Sequence, residues 1–172
     1  MNSRVEIETA RFLLRELTEA DATLRYLNWL ANSEARRFIV AAQQTQELCE
    51  LAEYVRQRTN RPDVLFLGIF DKSSGLHIGN IKYEPINFEF SYAILGILIG
   101  DTNFRGKKVA AEVIKSSAIW LKENFSIKQI LLGVDCENNQ AIHSYTNIGF
   151  QQTESHFIKK GINGITMSWL PQ

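Results

Sequence analysis

The stretch Arg105-Gly106-Lys107-Lys108 places a glycine among basic residues directly before a helical pattern. Apolar residues then recur on one helical face, namely Ala110, Val113, Ile114, Ala118 and Leu121. The first N–H groups of a helix are unpaired and carry a partial positive charge. Gly106 would let the backbone approach a ligand closely, and Arg105 and Lys107 would add positive charge. The pattern indicates a phosphate or pyrophosphate site, or alternatively a plain turn with solvated basic residues.

Two apolar strands are expected to hold this turn. Residues 91–99 and 130–134 are apolar on both faces, which is typical of central strands. The helix between them should begin near Lys107 or Lys108 and end near Asn124. A strand, helix and strand in this order usually form a parallel pair, so the sequence predicts parallel character around this unit.

The remaining pattern predicts further helices and strands. Helices are expected from Thr18 to about Asn32, from about Thr45 to Asn60, and between an Asn cap at Asn138 or Asn139 and a Gly stop at Gly149. Further strands are expected at residues 11–17, 64–70, 76–83, 150–158 and 164–170. The sequence therefore predicts an α/β fold: a mixed, mostly antiparallel sheet of seven strands flanked by about four helices.

Composition limits the classes of protein that fit. At 172 residues and 45% hydrophobic content the chain can bury one core, so we expect one domain over residues 1–172. The 19 basic residues balance 19 acidic ones, which argues against nucleic acid as a partner.

Cysteine usage and hydropathy set two further expectations. Cys49 and Cys136 stand far apart without CxxC or histidine spacing, so we expect neither a disulfide framework nor a zinc site. The longest apolar run, residues 93–99, is far shorter than the roughly 20 residues of a membrane helix, and the charged N-terminal residues do not resemble a signal peptide. We therefore expect a cytoplasmic protein with no metal and no membrane partner.

Four segments of the chain share a pattern with a known family. They are Glu8-Thr-Ala-Arg-Phe-Leu-Leu-Arg15 with Thr18-Glu-Ala-Asp21; His77-Ile-Gly-Asn80; Ile97-Leu-Ile-Gly-Asp101 leading to Arg105-Gly-Lys-Lys-Val-Ala110; and Asn138 through Tyr145 to Gly149-Phe150. In these segments the chain resembles the GCN5-related N-acetyltransferase (GNAT) superfamily, in its branch of ribosomal-protein-alanine and amino-sugar acetyltransferases. The third and fourth segments have the family's order and spacing, and the resemblance extends from Thr9 to Leu170.

The resemblance implies a coenzyme site between the two central strands. Acetyl-CoA would lie where these strands splay apart, with the backbone of Ile97, Leu98 and Ile99 pairing with the pantetheine arm. The pyrophosphate would bind the amides of the following turn, which are those of Arg105, Gly106, Lys107, Lys108, Val109 and Ala110. Asn138 would also contact the coenzyme, and no metal is implied.

Lys108 departs from the family pattern. The family loop usually reads R-G-x-G-x-A, so a Cβ stands here where a close phosphate approach is expected. A right-handed helical conformation would be open to lysine, and its ammonium could contribute to phosphate binding. The competing expectation is weaker coenzyme binding.

The resemblance also implies the catalytic groups. Tyr145 matches the tyrosine that serves the family as general acid to the departing sulfur, and the backbone N–H near Leu98 would polarise the thioester carbonyl. The base is open because Ile94 stands where relatives often carry a glutamate. Glu84 is the candidate base, and His77, Asp135 and Glu137 are further candidates that could act directly or through water. A plain surface or turn role is the alternative for each of them, and the amine could also arrive already neutral.

The acceptor is expected to be a small-molecule amine. The segment Arg25-Tyr-Leu-Asn-Trp-Leu-Ala-Asn-Ser-Glu-Ala-Arg-Arg-Phe38 is similar to a pattern of acetyltransferases in polysaccharide and nucleotide-amino-sugar pathways. Trp29, His77 and Asn80 are the candidate substrate-binding residues, and a nucleotide-linked or other amino sugar is the leading hypothesis.

Other functions stay open at this point. A protein N-terminal acetyltransferase of the ribosomal-alanine type is the second hypothesis. An acetyltransferase of small amines such as polyamines or antibiotics is the third. A module that binds acyl-CoA without turnover is the alternative of another class. The apolar end Met167-Ser-Trp169-Leu170 could close a homodimer or a substrate pocket equally well.

Overall fold

One eight-stranded sheet organises the protein, in a computed structural model that describes residues 5–32, 45–158 and 163–172. The strand order is β1-β2-β3-β4-β5-β6-β8-β7. The strands are β1 Glu6–Glu8, β2 Phe12–Glu16, β3 Leu65–Asp71, β4 His77–Asn87, β5 Tyr92–Ile99, β6 Gln129–Asp135, β7 Gln151–Thr153 and β8 Gly164–Trp169. Neighbouring strands are antiparallel except β5 and β6, which are parallel.

Four α-helices flank the described part of the sheet. They are α1 Leu24–Ala31, α2 Leu48–Arg56, α3 Val109–Phe125 and α4 Asn139–Ile148, with short 3-10 helices at Glu19–Asp21 and Thr102–Phe104. The predicted α/β class, the mostly antiparallel sheet and the parallel pair around α3 are confirmed. Residues 33–38 of the helical segment noted in the sequence, and residues 159–162 of the terminal turn, lie outside the described residues.

The predicted strand count of seven is wrong, because β1 is an eighth strand. It spans three residues and buries one side chain, that of Ile7, which is too short a pattern for period-two alternation to identify. β7 is also shorter than predicted: it ends at Thr153, and residues 154–158 are not in a strand.

The predicted splay of the central strands is confirmed. β5 pairs with β6 only over residues 92–94, opposite residues 129–131. Residues 95–99 keep their pairing with β4, whereas β6 continues against β8. Since N–H and C=O groups along a strand point alternately to its two edges, part of the β5 backbone faces this opening without a strand partner among the described residues.

Strand alternation divides β5 between the two sides of the sheet. Ile97 and Ile99 pack against the larger core, which also takes side chains of α3 and α4. Leu98 packs against the smaller core under α1 and α2. Successive side chains of a strand point to opposite faces, so the splayed part of β5 serves both sides.

Candidate active site

The glycine-containing turn lies between the 3-10 helix Thr102–Phe104 and α3. Gly106 has a φ of 71°, which glycine adopts without a steric penalty. Lys108 is the residue before the first turn of α3, and its side chain makes no capping hydrogen bond. The first turn of α3 therefore begins without a side-chain cap beside the opening at β5.

The expectation of a right-handed conformation at Lys108 is wrong. Its φ of 58° and ψ of 23° are left-handed. An L-residue in this region costs roughly 1–2 kcal/mol because its Cβ crowds the backbone, and lysine has no short polar side chain to offset the cost. The family glycine matches this conformation, so Lys108 stores backbone strain at the turn.

A salt bridge between Arg11 and Glu112, which the sequence does not reveal, holds this turn. The Glu112 carboxylate accepts hydrogen bonds from Thr9 Oγ1 at 2.6 Å, from Arg11 N at 2.8 Å and from Arg11 Nε at 2.7 Å. Arg11 Nη2 also donates to the Lys107 carbonyl at 3.0 Å. The turn between β1 and β2 is thereby fastened to both the loop and the first turn of α3.

The Glu112 carboxylate is ionised in this contact. Partial burial pushes its pKa up, but the hydrogen bonds from Thr9 and Arg11 and the Arg11 charge lower the pKa below its ordinary value. Arg11 and Glu112 are 101 positions apart, and neither stands in a motif that links the two segments. Only the packing of β1 and β2 beside α3 brings them together.

Arg105 contacts the end of β5. Its Nε donates to the Ile99 carbonyl at 3.1 Å. The turn is thus tied to the splayed strand, and the predicted coenzyme residues Ile97, Ile99 and Arg105 lie in one connected segment.

The structure places Tyr145 on the same side as these groups. Ile97, Ile99, Ala110 and Tyr145 all pack against the larger core. No described residue hydrogen-bonds to the Tyr145 hydroxyl, and burial raises its pKa to about 12. The hydroxyl is therefore protonated at neutral pH and has a proton to donate.

Of the two candidate caps for the helix that carries Tyr145, Asn138 is the observed one, and the predicted Gly149 stop is confirmed. Asn138 Oδ1 accepts from Ala141 N at 3.2 Å, and Gly149 ends the helix with a φ of 120°. Both residues fix the length of α4 and thereby the position of Tyr145 near its end.

Trp29 lies on the other side of the sheet with Leu98. Its ring packs on Gly100, where an added Cβ would overlap the indole. One helical turn earlier, Arg25 Nη2 donates to the buried Asp101 Oδ2 at 2.6 Å. Two residues of α1 therefore fasten that helix to the end of β5. Gly100 and Asp101 stood in a segment that resembles the family, but the sequence assigned them no role.

His77 and Asn80 lie beside Trp29. The His77 ring stacks on Phe70 with centroids 4.8 Å apart and meets the Trp29 ring edge-on at 5.0 Å. Its Nε2 is 2.8 Å from Asn80 Oδ1 and 3.0 Å from the Gly79 carbonyl, which can only accept, so Nε2 carries the hydrogen. Burial lowers the pKa of His77, which favours the neutral imidazole. Among the described residues the buried Asn80 Nδ2 has no hydrogen-bond partner.

The geometry around Glu84 does not favour the base that the sequence suggested. Its carboxylate is 2.9 Å from Arg58 Nε, 3.0 Å from Arg61 Nη1 and 2.7 Å from Lys82 Nζ. Burial pushes its pKa up, but the hydrogen bonds and charges of Lys82 and Arg58 lower the pKa overall. A carboxylate held this way is a weak proton acceptor, so its role as a base stays an untested prediction that these ion pairs oppose.

Residues 5–32, 45–158 and 163–172 contain no group of three or more His, Cys, Asp or Glu side chains that could hold a metal ion. No helix in that part of the chain is long and apolar enough to cross a membrane. Cys49 and Cys136 are both exposed free thiols.

Comparison with known proteins identifies the family. A family model described as "Acetyltransferase (GNAT) domain" matches residues 11–151. No curated protein sequence matches the chain significantly. Since the family model covers more than half of the chain, the chain belongs to the GNAT acetyltransferase family.

Solved structures of low sequence identity share its fold. A spermidine N-acetyltransferase from Vibrio cholerae, in complex with CoA and spermine, aligns with a TM-score of 0.79 and 21% identity over 94% of this chain and 96% of that one. A ribosomal-protein-S5-alanine acetyltransferase from Vibrio fischeri gives 0.75 and 15% over 97% of each chain. A microcin C7 self-immunity acetyltransferase, in complex with acetyl-CoA and AMP, gives 0.79 and 15% over 94% and 93%. The sheet with its splayed parallel pair is thus the GNAT fold.

Proposed function

We propose that this chain, as a member of the GNAT family, is an acetyl-CoA-dependent N-acetyltransferase that works by direct attack of an amine on the thioester. The observation that carries the proposal is the splay of β5 from β6, which leaves residues 95–99 without a partner on β6. The turn next to it is tied to the Ile99 carbonyl by Arg105 Nε and leads into the uncapped start of α3. Tyr145, whose hydroxyl is protonated at neutral pH, packs against the same core as Ile97 and Ile99. Membership of the family and the CoA-bound neighbours support the same reading.

In the proposed complex the turn at residues 105–110 binds the pyrophosphate and β5 binds the pantetheine arm. The N–H groups at the start of α3 suit the charge of the phosphates. The backbone edge near Ile97 and Ile99, which has no strand partner within the described ranges, can accept an added strand-like partner. Acetyl-CoA supplies a thioester carbonyl as the electrophile.

The acetyl transfer needs two proton movements. A neutral amine attacks the carbonyl carbon, the C–S bond breaks, and the nitrogen loses a proton to solvent or to a base. The backbone N–H near Leu98 stabilises the carbonyl oxygen as negative charge develops. Tyr145 donates its hydroxyl proton to the departing sulfur, whose thiol pKa is about 8.5 in free form.

The leading acceptor is a nucleotide-linked or other amino sugar. The sequence pattern around Trp29 and the segment from His77 to Asn80 support it, and these residues form one connected surface beside Leu98. A neighbour of the same fold was solved with the nucleotide AMP in addition to acetyl-CoA. Trp29 and Asn80 would then contact the sugar.

A protein N-terminus is the second candidate acceptor. It is favoured by the ribosomal-protein-S5-alanine acetyltransferase among the structural neighbours. The two candidates differ in the rest of the acceptor, not in the reaction at the amine.

The test is an acetylation assay with a nucleotide-linked amino sugar, a peptide with an N-terminal alanine, and spermidine. Thiol release and mass spectrometry of the product would be measured together. We expect acetylation of the amino sugar, slowed about 100-fold in Tyr145→Phe and kept in the matched control Tyr92→Phe. The Tyr92 ring stacks on Phe157 with centroids 4.3 Å apart, and Tyr92 lies in the part of β5 that is paired with β6. Acetylation of the peptide alone would reverse the order of the acceptors. Coenzyme binding with no amine acetylated would favour the non-catalytic binding module.

A further inference from the structure

A half-buried cluster of charged side chains lies between α2 and β4. We infer that Arg58, Arg61 and Lys82, named the cationic cluster below, bind an acidic group on the acceptor, which makes the substrate an amine that also carries a phosphoryl or carboxyl group. This inference rests on the proposed function and names the substrate class for it.

The cluster is held together by one carboxylate and one tyrosine. Glu84 contacts all three cations at 2.7–3.0 Å. Lys82 Nζ also donates to the Tyr54 hydroxyl at 2.8 Å, and the Arg58 guanidinium lies 3.6 Å from the Tyr54 ring centroid. Both the Arg58 guanidinium and the Lys82 ammonium are thus held in contact with Tyr54.

The charges in this cluster do not balance. Arg61 is paired with Asp63 through two hydrogen bonds of 3.0 and 2.6 Å. Glu84 is then the carboxylate that Arg58 and Lys82 share, so the paired groups carry one excess positive charge. The side chains of Arg58 and Lys82 are only 17% and 23% exposed. Excess charge with so little water around it is costly, and an anionic ligand would offset that cost.

The strand next to the cluster offers room for such a ligand. Lys82 is the cross-strand partner of Gly96 on β5. Gly96 is exposed, and a Cβ built there would meet no atom within 4 Å. Two residues before Lys82, on the same face of β4, Asn80 holds its unpartnered buried amide. Both side chains are hydrogen-bond donors, so this face suits a ligand rich in acceptor oxygens.

The spacing connects the cluster to the proposed chemistry. Gly96 is two residues before Leu98 on β5, which corresponds to about 7 Å along a strand. An acceptor amine at the thioester would therefore carry its acidic group roughly one sugar ring or one short chain away. The same excess of positive charge would repel the second and third ammonium groups of a polyamine.

The first experiment is calorimetric titration of inorganic pyrophosphate, and separately of glutarate, into protein saturated with CoA. Saturation keeps these probes away from the turn at residues 105–110. We expect saturable binding of at least one probe, and the tighter probe identifies the phosphoryl or the carboxyl form of the group. Lys82→Met and Arg58→Gln should each weaken that binding about tenfold or more.

The matched control is Lys115→Met, which removes the same charge from an exposed position on α3. It should bind both probes as the wild type does. Lys82→Arg keeps the charge and should retain most of the binding. Its result separates loss of the charge from a folding defect as the cause of weaker binding in Lys82→Met. Absence of saturable binding by the wild type, or equal loss in Lys82→Met and Lys115→Met, would overturn the inference. The CoA titration made beforehand reports separately on the proposed function, since its failure would remove the coenzyme site and not the cluster.

Discussion

The helices α3 and α4 begin in different ways. α4 starts at Asn138, whose side chain accepts from Ala141 N at 3.2 Å, and α1 is capped in the same manner by Thr23. α3 starts at Lys108, which provides no side-chain cap and has left-handed backbone geometry. A capped helix start has used its donors within the chain, whereas an uncapped one keeps them for a ligand. α4 therefore serves to position Tyr145, whereas the start of α3 is proposed to bind phosphates.

The start of α3 is also held by a residue that is distant from it in sequence. α4 is fixed by residues of its own, Asn138 and Gly149. The turn before α3 is held by Arg11, which bridges Glu112 and the Lys107 carbonyl. A strained segment persists when its surroundings determine its conformation, and this salt bridge is such a constraint.

The largest expected effect concerns the chemistry carried by α4. Tyr145→Phe should lower kcat about 100-fold, because it removes the proton donor for the departing sulfur, while the Kd for CoA stays unchanged. Steady-state kinetics and CoA calorimetry measure the two quantities. An unchanged kcat, with the chemical step shown to limit the rate, would remove Tyr145 from this role.

The raised pKa of Tyr145 sets the pH dependence of that step. Because burial raises the pKa to about 12, the hydroxyl stays protonated from pH 7 to pH 10. The wild-type kcat should therefore not fall through loss of this proton over that range. A decline of kcat centred below pH 10 that disappears in Tyr145→Phe would contradict the assignment.

The next effect concerns the support of α3. Glu112→Gln should raise the Kd for CoA about tenfold by releasing Arg11 and the Lys107 carbonyl, and should lower the free energy of unfolding by about 1 kcal/mol, since the partners are partly exposed. Glu123→Gln, an exposed change near the other end of α3, is the control for both measurements.

The pH dependence of this contribution follows from the lowered pKa of Glu112. A group with a folded pKa below its ordinary value of 4.5 contributes stability above that value and loses it as the pH falls through the folded pKa. The difference in unfolding free energy between wild type and Glu112→Gln should stay constant above pH 5 and shrink in more acidic solution. A difference that instead grows on acidification would be inconsistent with an ionised Glu112.

A smaller effect is expected at the cap of α4. Asn138→Ala should lower the free energy of unfolding by about 1 kcal/mol, because the first turn of α4 loses its side-chain acceptor. Chemical denaturation measures this change, and Asn138→Ser, which keeps a capping oxygen, should recover most of it. Equal stability of Asn138→Ala and wild type would show that the cap is not needed.

The smallest expected effect is at Lys108. Lys108→Gly should relieve about 1 kcal/mol of backbone strain, partly cancelled by the greater freedom of glycine in the unfolded chain. The free energy of unfolding should thus stay equal or rise slightly, while the affinity for CoA falls a few-fold with loss of the ammonium. Calorimetry decides whether the Lys108 ammonium strengthens or weakens CoA binding. Unchanged or stronger binding of CoA by Lys108→Gly would show that the ammonium does not contribute to the affinity.

The strand and helix unit around α3 could be predicted because long apolar runs and a clear helical period identify it. β1 escaped prediction because three residues with one buried side chain carry no period. The glycine pattern located the turn but could not give the backbone conformation of Lys108, which only the folded connection into α3 determines.

The side chains that support the site were harder to predict. Arg11 and Glu112, like Arg25 and Asp101, are distant in sequence and meet only after the sheet has formed. The cationic cluster could not be predicted either, because only the folded chain brings three cations around Glu84, and these ion pairs oppose the base role that the residue type suggested. The charges around a carboxylate depend on tertiary contacts that residue type does not reveal.

Thermal unfolding of the protein with and without CoA or acetyl-CoA tests the proposed coenzyme site most directly. If the start of α3 and the edge of β5 bind the coenzyme, ligand at about 100 times its Kd adds about 2.7 kcal/mol to the free energy of unfolding. For a chain of this size the midpoint should rise by roughly 5–10 °C with either ligand. No shift in Tm, together with no heat of binding by calorimetry, would contradict the coenzyme site and the functions proposed from it.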